Sequence, residues 1–160
     1  MADASFARAE GPVCAVLTAD CLPVLFCDEQ GETVAAAHAG WRGLVGGVLA
    51  ETFKALDVDA GRVLAWLGPA IEQDAFEVGE EVRDQFIARD SGFAAGFVRN
   101  DRNRWQADIY GLARHELAQL GVHKVYGGGF SCFADRERFF SYRRDQRTGR
   151  MASLIWIQDK

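Results

Sequence analysis

The chain has 160 residues, of which 49% are hydrophobic and 26% are charged, values that suit one soluble globular domain with its own core. Its formal net charge is −5, which argues against a general surface for nucleic acid or anionic membrane but is compatible with a local basic pocket. The longest apolar runs, at 13–17 and 23–27, are too short to cross a bilayer.

The four cysteines are Cys14, Cys21, Cys27 and Cys132, and none of them forms a Cys-x-x-Cys pair. No recognisable signal peptide precedes the first three, which lie close together in apolar sequence. This pattern favours reduced thiols in a cytoplasmic protein over a disulfide framework.

Strands are predicted to dominate the first part of the chain. Apolar runs at 13–17, 23–27 and 33–38 predict three strands, with an irregular connection at 18–22 and a turn at 29–32. Pro23 has no backbone donor, so we expect it at a strand start, an edge or a bulge. Gly40 and Gly43 then predict a tight passage into a helix over about 44–56, where apolar residues recur at helical spacing.

The second half mixes helices and strands. Strands are predicted at 62–67, 122–126 and 152–157, the last of which we expect to close the sheet, and helices are predicted at 79–89 and from an Asp108 N-cap to residue 120. An Arg-rich connection covers 139–150. Because the strands cluster at the start and do not alternate strictly with helices, the pattern predicts an α+β fold with a mixed sheet and packed helices.

Cys21 and His38 are the residues with the clearest chemical potential. Each lies at an apolar strand next to a turn, and two neighbouring strands joined by a hairpin bring their ends together. A thiolate and an imidazole are preferred ligands of zinc and also suit copper(I), although a catalytic zinc site holds three protein ligands and an open position. The same two groups suit a nucleophile and its general base, or two ordinary core residues.

Arginines occur in two further segments, at 38–43 and at 139–150, that also contain glycine or hydroxyl residues. Arg42 adds a positive fork to the free amides at the start of the predicted helix, an arrangement that can bind an anion, while Trp41 either stacks on a planar ring or packs in the core. Arg143, Arg144 and Arg150 near small hydroxyl residues either hold phosphate or form a salt-bridged surface loop.

Four ordered segments resemble the YfiH-type purine nucleoside phosphorylases, a family earlier labelled polyphenol oxidoreductase laccase domains and related to human FAMIN. They are Thr-Ala-Asp-Cys-Leu-Pro-Val at 18–24, His-Ala-Gly-Trp-Arg-Gly at 38–43, Leu-Gly-Pro-Ala-Ile at 67–71, and Phe-Ser-Tyr-Arg-Arg-Asp at 140–145 with Thr-Gly-Arg at 148–150. The resemblance runs from about residue 12 to the C-terminus. It implies an α+β fold related to the cytotoxic necrotizing factor toxins.

The resemblance also implies a zinc site of two histidines and one cysteine, in which Cys21 is the cysteine ligand and His38 is the second histidine. It implies phosphorolysis of adenosine, inosine, guanosine and methylthioadenosine, together with deamination of adenosine. The family's first histidine ligand lies upstream of the cysteine motif, where this sequence has no histidine. We therefore expect a single domain over residues 1–160 that lacks the family's usual N-terminal portion.

The expected partners of this site are purine nucleosides and phosphate, with no nucleic acid and no membrane. On this interpretation Arg42, Arg143 and Arg144 position phosphate or ribose. Asp20 is expected to act in catalysis with Arg42, by orienting a ligand or relaying a proton.

Two alternatives to the zinc enzyme remain open at this point. One is a metal-free cysteine hydrolase or deamidase, with Cys21 as nucleophile and His38 as base. The other is an inactive, truncated family member that only binds nucleosides. Copper-dependent phenol oxidation is disfavoured, because several copper centres need many histidines and this chain has three, so zinc is expected rather than copper.

Overall fold

A five-stranded mixed sheet forms the centre of the computed structural model, which describes residues 3–158. The strands are β1 Ala4–Ala7, β2 Val13–Thr18, β3 Leu22–Asp28, β4 Val34–Ala39, β5 Val63–Leu67, β6 Glu77–Val78, β7 Phe97–Arg99, β8 Trp105–Ala107, β9 Lys124–Gly127 and β10 Met151–Trp156. The α-helices are α1 Trp41–Val45, α2 Val48–Leu56, α3 Glu80–Arg89, α4 Ile109–Gln119 and α5 Tyr142–Asp145. The predicted α+β class is confirmed.

The central sheet has the order β1-β4-β3-β5-β9, with antiparallel pairing except between β5 and β9. Side chains alternate between its two faces. Leu22, Val24 and Phe26 of β3 belong to the main buried cluster, which they share with residues of α2 and α4. Leu25 and Cys27, on the opposite face, pack against a second cluster.

That second face is covered by a ribbon of β2 and β10, which pair antiparallel with each other and pack against β4, β3 and β1. Cys14 and Val16 of β2 are buried between the ribbon and the central sheet. The prediction that the last strand closes the sheet is therefore wrong, because among the described strands β10 pairs with β2 alone, in a layer separate from the central sheet. The paired residues of β2 and β10 lie more than 130 residues apart in the sequence, so their pairing depends on tertiary packing, which a local sequence pattern does not contain.

The helix predicted over 44–56 is two helices, α1 and α2, separated by Gly46 and Gly47. Gly47 has φ +83°, a left-handed conformation that ends helical geometry and that glycine adopts without a steric penalty. The other helix predictions are confirmed. In particular, the Asp108 side chain caps α4 by accepting a hydrogen bond from the Gly111 N–H at 2.9 Å.

Four short strands were not predicted. β1 adds an edge to the central sheet beside β4, and β6, β8 and β7 form a small separate sheet in that order. Within residues 3–158 no helix is both long and apolar enough to cross a membrane.

Candidate active site at the open end of the β3–β4 hairpin

Cys21 and His38 lie together, as the hairpin predicts. His38 pairs with Pro23 in the β3–β4 register, so Cys21, two residues before Pro23, falls on the same face of the sheet at the same end. A Cβ atom built on Gly40 would lie 2.9 Å from Cys21 Sγ and 3.7 Å from His38 Nε2. The thiol and the imidazole thus face one point, and glycine at position 40 leaves that point open.

The pair lies in the wall of a cavity of about 430 Å³. Its polar lining comes from Thr18, Asp20, Cys21, His38, Arg42, Arg143 and Arg150, and its apolar and aromatic lining from Leu17, Ala19, Trp41, Ile71, Phe76, Ile109 and Tyr142. An apolar wall with a few convergent polar groups is typical of a small-molecule site.

Local electrostatics keep the Cys21 thiol neutral in the metal-free chain. Burial raises the pKa of the thiol, and the neighbouring Asp20 carboxylate raises it further, while the Arg150 guanidinium has the opposite effect. A raised pKa means a protonated thiol at neutral pH, which is a weak nucleophile unless a metal or a base removes the proton.

Asp20 connects the Cys21 segment to two other walls of the cavity. It has φ +78°, which is unusual for a residue other than glycine. Its backbone oxygen accepts a hydrogen bond from the Ile71 N–H at 3.0 Å, and its Oδ2 accepts one from the Arg143 N–H at 2.6 Å. Its buried Oδ1 has no hydrogen-bond partner among the described residues. Asp20 therefore positions the start of α5 against the cavity.

Three arginines reach the cavity from different elements. Arg42, in α1, stacks over the Trp41 ring at 4.3 Å from its centroid. Arg143 donates from Nη1 to the Ala75 and Glu77 carbonyls at 3.4 and 3.0 Å. Arg150, which directly precedes β10, is the third. Because α1 has only five residues, positive charge here comes from guanidinium groups rather than from a long helix.

Arg144 is the one predicted site residue that the structure does not bring into the cavity. Its Nη1 donates to the carbonyls of Cys132 and Phe133 at 2.8 and 2.9 Å, and its Nη2 donates to the Phe139 carbonyl at 3.0 Å and to Asp145 at 2.8 Å. With its side chain 10% exposed, Arg144 holds the loop around residues 132–145 together.

Tyr110 of α4 also holds loop backbone in place, behind the apolar wall of the cavity. Its hydroxyl oxygen accepts a hydrogen bond from the Ala70 N–H at 2.7 Å and lies 3.0 and 2.8 Å from the carbonyl oxygens of Gly68 and Phe130. Burial raises the pKa of Tyr110 to about 12, so the hydroxyl stays protonated at neutral pH. The tyrosine thereby fixes the turn that carries Ile71.

Sequence reasoning missed the apolar wall. Ile71 ends one of the four resemblance segments, but Phe76 and Ile109 belong to ordinary apolar patterns. The local sequence does not distinguish such residues from core residues, because they come to line a cavity only when elements distant in the sequence pack around it.

The other two histidines lie outside this site. His115 Nε2 is 2.7 Å from Asp90 Oδ2 and its ring packs against Phe93, while His123 is exposed just before β9. Across residues 3–158 no group of three or more His, Cys, Asp or Glu side chains is arranged to hold a metal ion. Cys21 and His38 have the donor chemistry of a zinc or copper(I) site, but they supply two of the three protein ligands that a catalytic zinc site needs.

The chain is matched over residues 1–158 by the model of a family described as multi-copper polyphenol oxidoreductase laccase. It is 55% identical over 156 residues to a protein of Escherichia coli named purine nucleoside phosphorylase YfiH, and 55% identical over 159 residues to a protein of Pseudomonas aeruginosa named purine nucleoside phosphorylase PA4543. These alignments cover 98% and 99% of this chain but 64% and 66% of the relatives. The chain thus spans about two thirds of their length.

A solved structure has the same fold. The crystal structure of the Neisseria meningitidis protein NMB0706 matches with a TM-score of 0.97 at 53% sequence identity. The match covers 99% of this chain and 65% of that one.

Proposed function

Because this chain belongs to the multi-copper polyphenol oxidoreductase laccase family, we propose that it forms the catalytic cavity of a zinc-dependent purine nucleoside phosphorylase. The proposed substrates are adenosine, inosine, guanosine and methylthioadenosine, with adenosine deamination as a second activity. The observation that carries the proposal is the Cys21–His38 pair at the polar side of a cavity that also has an apolar wall and three arginines. The names of the relatives support the same reaction class.

The lining suggests how a nucleoside and phosphate are arranged. The flat purine packs against Ile71, Phe76 and Ile109, where aromatic and aliphatic surface replaces water. Phosphate binds to Arg42 and Arg143, since guanidinium forks match its oxygens. The ribose then lies between them, with its anomeric carbon between purine and phosphate.

In phosphorolysis a phosphate oxygen bonds to the anomeric carbon as the bond to the purine nitrogen breaks, and the proton that the phosphate gives up reaches the departing base. Holding both reactants in one cavity removes much of the entropic cost of bringing them together. The arginines keep phosphate beside the oxocarbenium-like carbon, because their guanidinium groups attract its oxygens. Asp20 acts as a positioning residue, because its carboxylate holds the backbone of Arg143. Arg144 acts in the same way through its loop.

A zinc ion held by Cys21 and His38 would supply an activated water or polarise the purine, and that is the chemistry which deamination at the amine-bearing carbon requires. The protein residues that would hold it are those two. All four cysteines are free thiols, which fits the proposed cytoplasmic location.

The proposal is tested on the purified chain by measuring bound zinc and phosphate-dependent release of hypoxanthine from inosine. We expect Cys21→Ala and His38→Ala to lose both. Cys27→Ala is the matched control, because Cys27 is a half-buried thiol outside the cavity, and it should keep both. Turnover that survives both Cys21→Ala and a strong chelator would overturn the proposed zinc-dependent mechanism.

The cysteine hydrolase or deamidase is the second candidate, favoured by the proximity of a thiol and an imidazole. The raised pKa of Cys21 weighs against it. Loss of activity on thiol alkylation, with no effect of a chelator, would support this candidate. Binding of inosine without turnover in the zinc-loaded chain would instead support a nucleoside-binding family member without activity.

A further inference from the structure

Within residues 3–158, the arginines of the cavity differ from most other arginines because their guanidinium groups form no ion pair with a carboxylate. Arg62, Arg89 and Arg102 each form an ion pair with a carboxylate. In the part of the chain that the structure describes, no carboxylate lies in ion-pair contact with the three arginines of the cavity lining, which are Arg42, Arg143 and Arg150.

The positive charge is therefore concentrated at one place on an acidic protein. The whole chain carries a formal charge of −5, yet the cavity lining contains three arginines and a single carboxylate, that of Asp20. The Asp20 Oδ2 is already bound to the backbone N–H of Arg143. Uncompensated guanidinium groups that converge on a cavity attract and hold an oxyanion.

Arg150 is held beside the Cys21 segment by local hydrogen bonds and by the start of β10. Its Nη1 donates to the carbonyls of Thr148 and Gly149 at 3.2 and 2.9 Å. The next residue, Met151, pairs with Thr18 in the β2–β10 ribbon, so the backbone of Arg150 is fixed against the loop that carries Cys21. No hydrogen bond to protein is made by Nε or Nη2 of Arg150 within residues 3–158, which leaves that edge of the guanidinium for a ligand.

We propose that Arg150 anchors a phosphate subsite, completed by Arg42 and Arg143, that binds inorganic phosphate without any metal ion. The inference deepens the proposed function and rests on it for its catalytic meaning. It adds a residue to the site and separates the cavity into two parts that bind independently. The arginines hold the anion, and the Cys21–His38 pair holds the metal.

The test is calorimetric titration of the EDTA-treated, desalted chain with inorganic phosphate. We expect the unmodified chain to bind phosphate and Arg150→Ala to bind it at least about tenfold more weakly, because a charge-assisted, forked contact is lost. Arg150→Lys should fall between them, since lysine keeps the charge but not the fork. The lysine variant also keeps the test valid if the alanine variant fails to fold.

Two kinds of control make the result specific. Arg147→Ala removes an exposed arginine that lines a different surface pocket, and it should leave phosphate affinity within about twofold of the unmodified value, because an exposed charge outside the cavity is screened by salt. Cys21→Ala and His38→Ala should also bind phosphate normally.

Equal phosphate binding by the Arg150 variants overturns the proposal, as does an absence of phosphate binding by the metal-free chain or a loss of binding in His38→Ala. The proposed function fails separately. Arg150-dependent phosphate binding without turnover of inosine would reject the phosphorylase and leave the subsite standing. Turnover with a phosphate KM that Arg150→Lys and Arg150→Ala do not raise would reject the subsite alone.

Discussion

Gly40 controls the spacing between the two proposed metal ligands. A methyl group at this position would press on Cys21 Sγ at 2.9 Å, while its φ of −65° accepts alanine without backbone strain. We expect Gly40→Ala to lower zinc affinity at least about tenfold by displacing the thiol, since small shifts in ligand geometry are costly at a metal site. Zinc competition with a colorimetric chelator measures this.

The matched control for that change is Gly61→Ala, because a Cβ at Gly61 would meet no atom within 4 Å. It should bind zinc as the unmodified chain does. If Gly40→Ala and Gly61→Ala held zinc equally well, the thiol at position 21 would not be a ligand.

At the same scale, the sequence predicts some site residues and not others for a clear reason. Cys21 and His38 carry distinctive chemistry and lie at the same end of a hairpin, so local reasoning is enough to place them together. Arg144 has the same chemistry as Arg143, its neighbour, yet its guanidinium points into its own loop. Which of two adjacent arginines faces a cavity depends on the packing of the loop, and this is absent from the sequence pattern.

Among the elements, α1, α3 and α4 are joined by one side chain. Arg89 donates from Nη1 to the Leu44 carbonyl at 2.6 Å and from Nη2 to Glu116 Oε1 at 2.8 Å. Glu116 is 3% exposed and its Oε2 has no partner among the described residues. We expect Arg89→Ala to lower the free energy of unfolding by about 3 kcal/mol, because it leaves a buried carboxylate unpaired. Urea denaturation gives the value.

Two further variants separate the buried pair from ordinary surface charge. Arg102→Ala removes an exposed ion pair with Glu77 and should cost less than about 1 kcal/mol. The double change Arg89→Met with Glu116→Leu should recover most of the loss, since it removes both charges. A double variant as unstable as Arg89→Ala would argue that the bond to Leu44 carries the effect instead.

The turn between β3 and β4 depends on the Asp28 carboxylate. Burial alone would raise its pKa, but hydrogen bonds from the backbone N–H groups of Thr33, Glu32 and Gln30, with the Arg62 charge, outweigh burial and lower the pKa. A lowered pKa in the folded state means that the stabilisation is present above the unfolded pKa of about 3.9 and is lost as pH falls through the folded value.

We therefore expect Asp28→Asn to cost about 1–2 kcal/mol at pH 7, with the stability curves of the two proteins converging below about pH 4. Denaturant unfolding from pH 7 to pH 2 tests this. Asp59→Asn serves as the control, because Asp59 is exposed and its side chain accepts no capping hydrogen bond from the short 3-10 helix Ala60–Arg62 that follows it. A constant difference between Asp28→Asn and the unmodified chain over the whole pH range would contradict the assignment.

At the scale of the whole molecule, the elements could be predicted better than their arrangement. Strands β2 to β5 are short apolar runs and α4 begins at the Asp108 cap, signals that act locally and can be read from sequence. Helix α3 has no side-chain cap and buries Val82 and Phe86 alone, so its signal in the sequence is weaker. The small β6-β8-β7 sheet has strands of two or three residues, too short for any periodicity to stand out. The placement of β10 on β2 is set by burial of the second face of the sheet, a property of the assembled layers.

Because β2 and β10 form a separate layer, one face of their ribbon is exposed. Three cross-strand pairs on it, Ala152–Leu17, Leu154–Ala15 and Trp156–Val13, contain no polar side chain. The four larger members are about half exposed or more. A contiguous apolar surface of this kind promotes association in water, so we expect the chain to associate as its concentration rises.

Leu154→Thr with Trp156→Thr should reduce this association severalfold, because threonine keeps β-propensity and net charge while it removes apolar area. Sedimentation velocity over a range of concentrations measures the effect. Val98→Thr is the control: Val98 is equally exposed, at 56%, but lies on the small sheet away from the ribbon, and its change should leave association as it was. If the ribbon variant and Val98→Thr associated alike, the self-association would have to arise on another surface, and the ribbon's apolar face would not limit solubility.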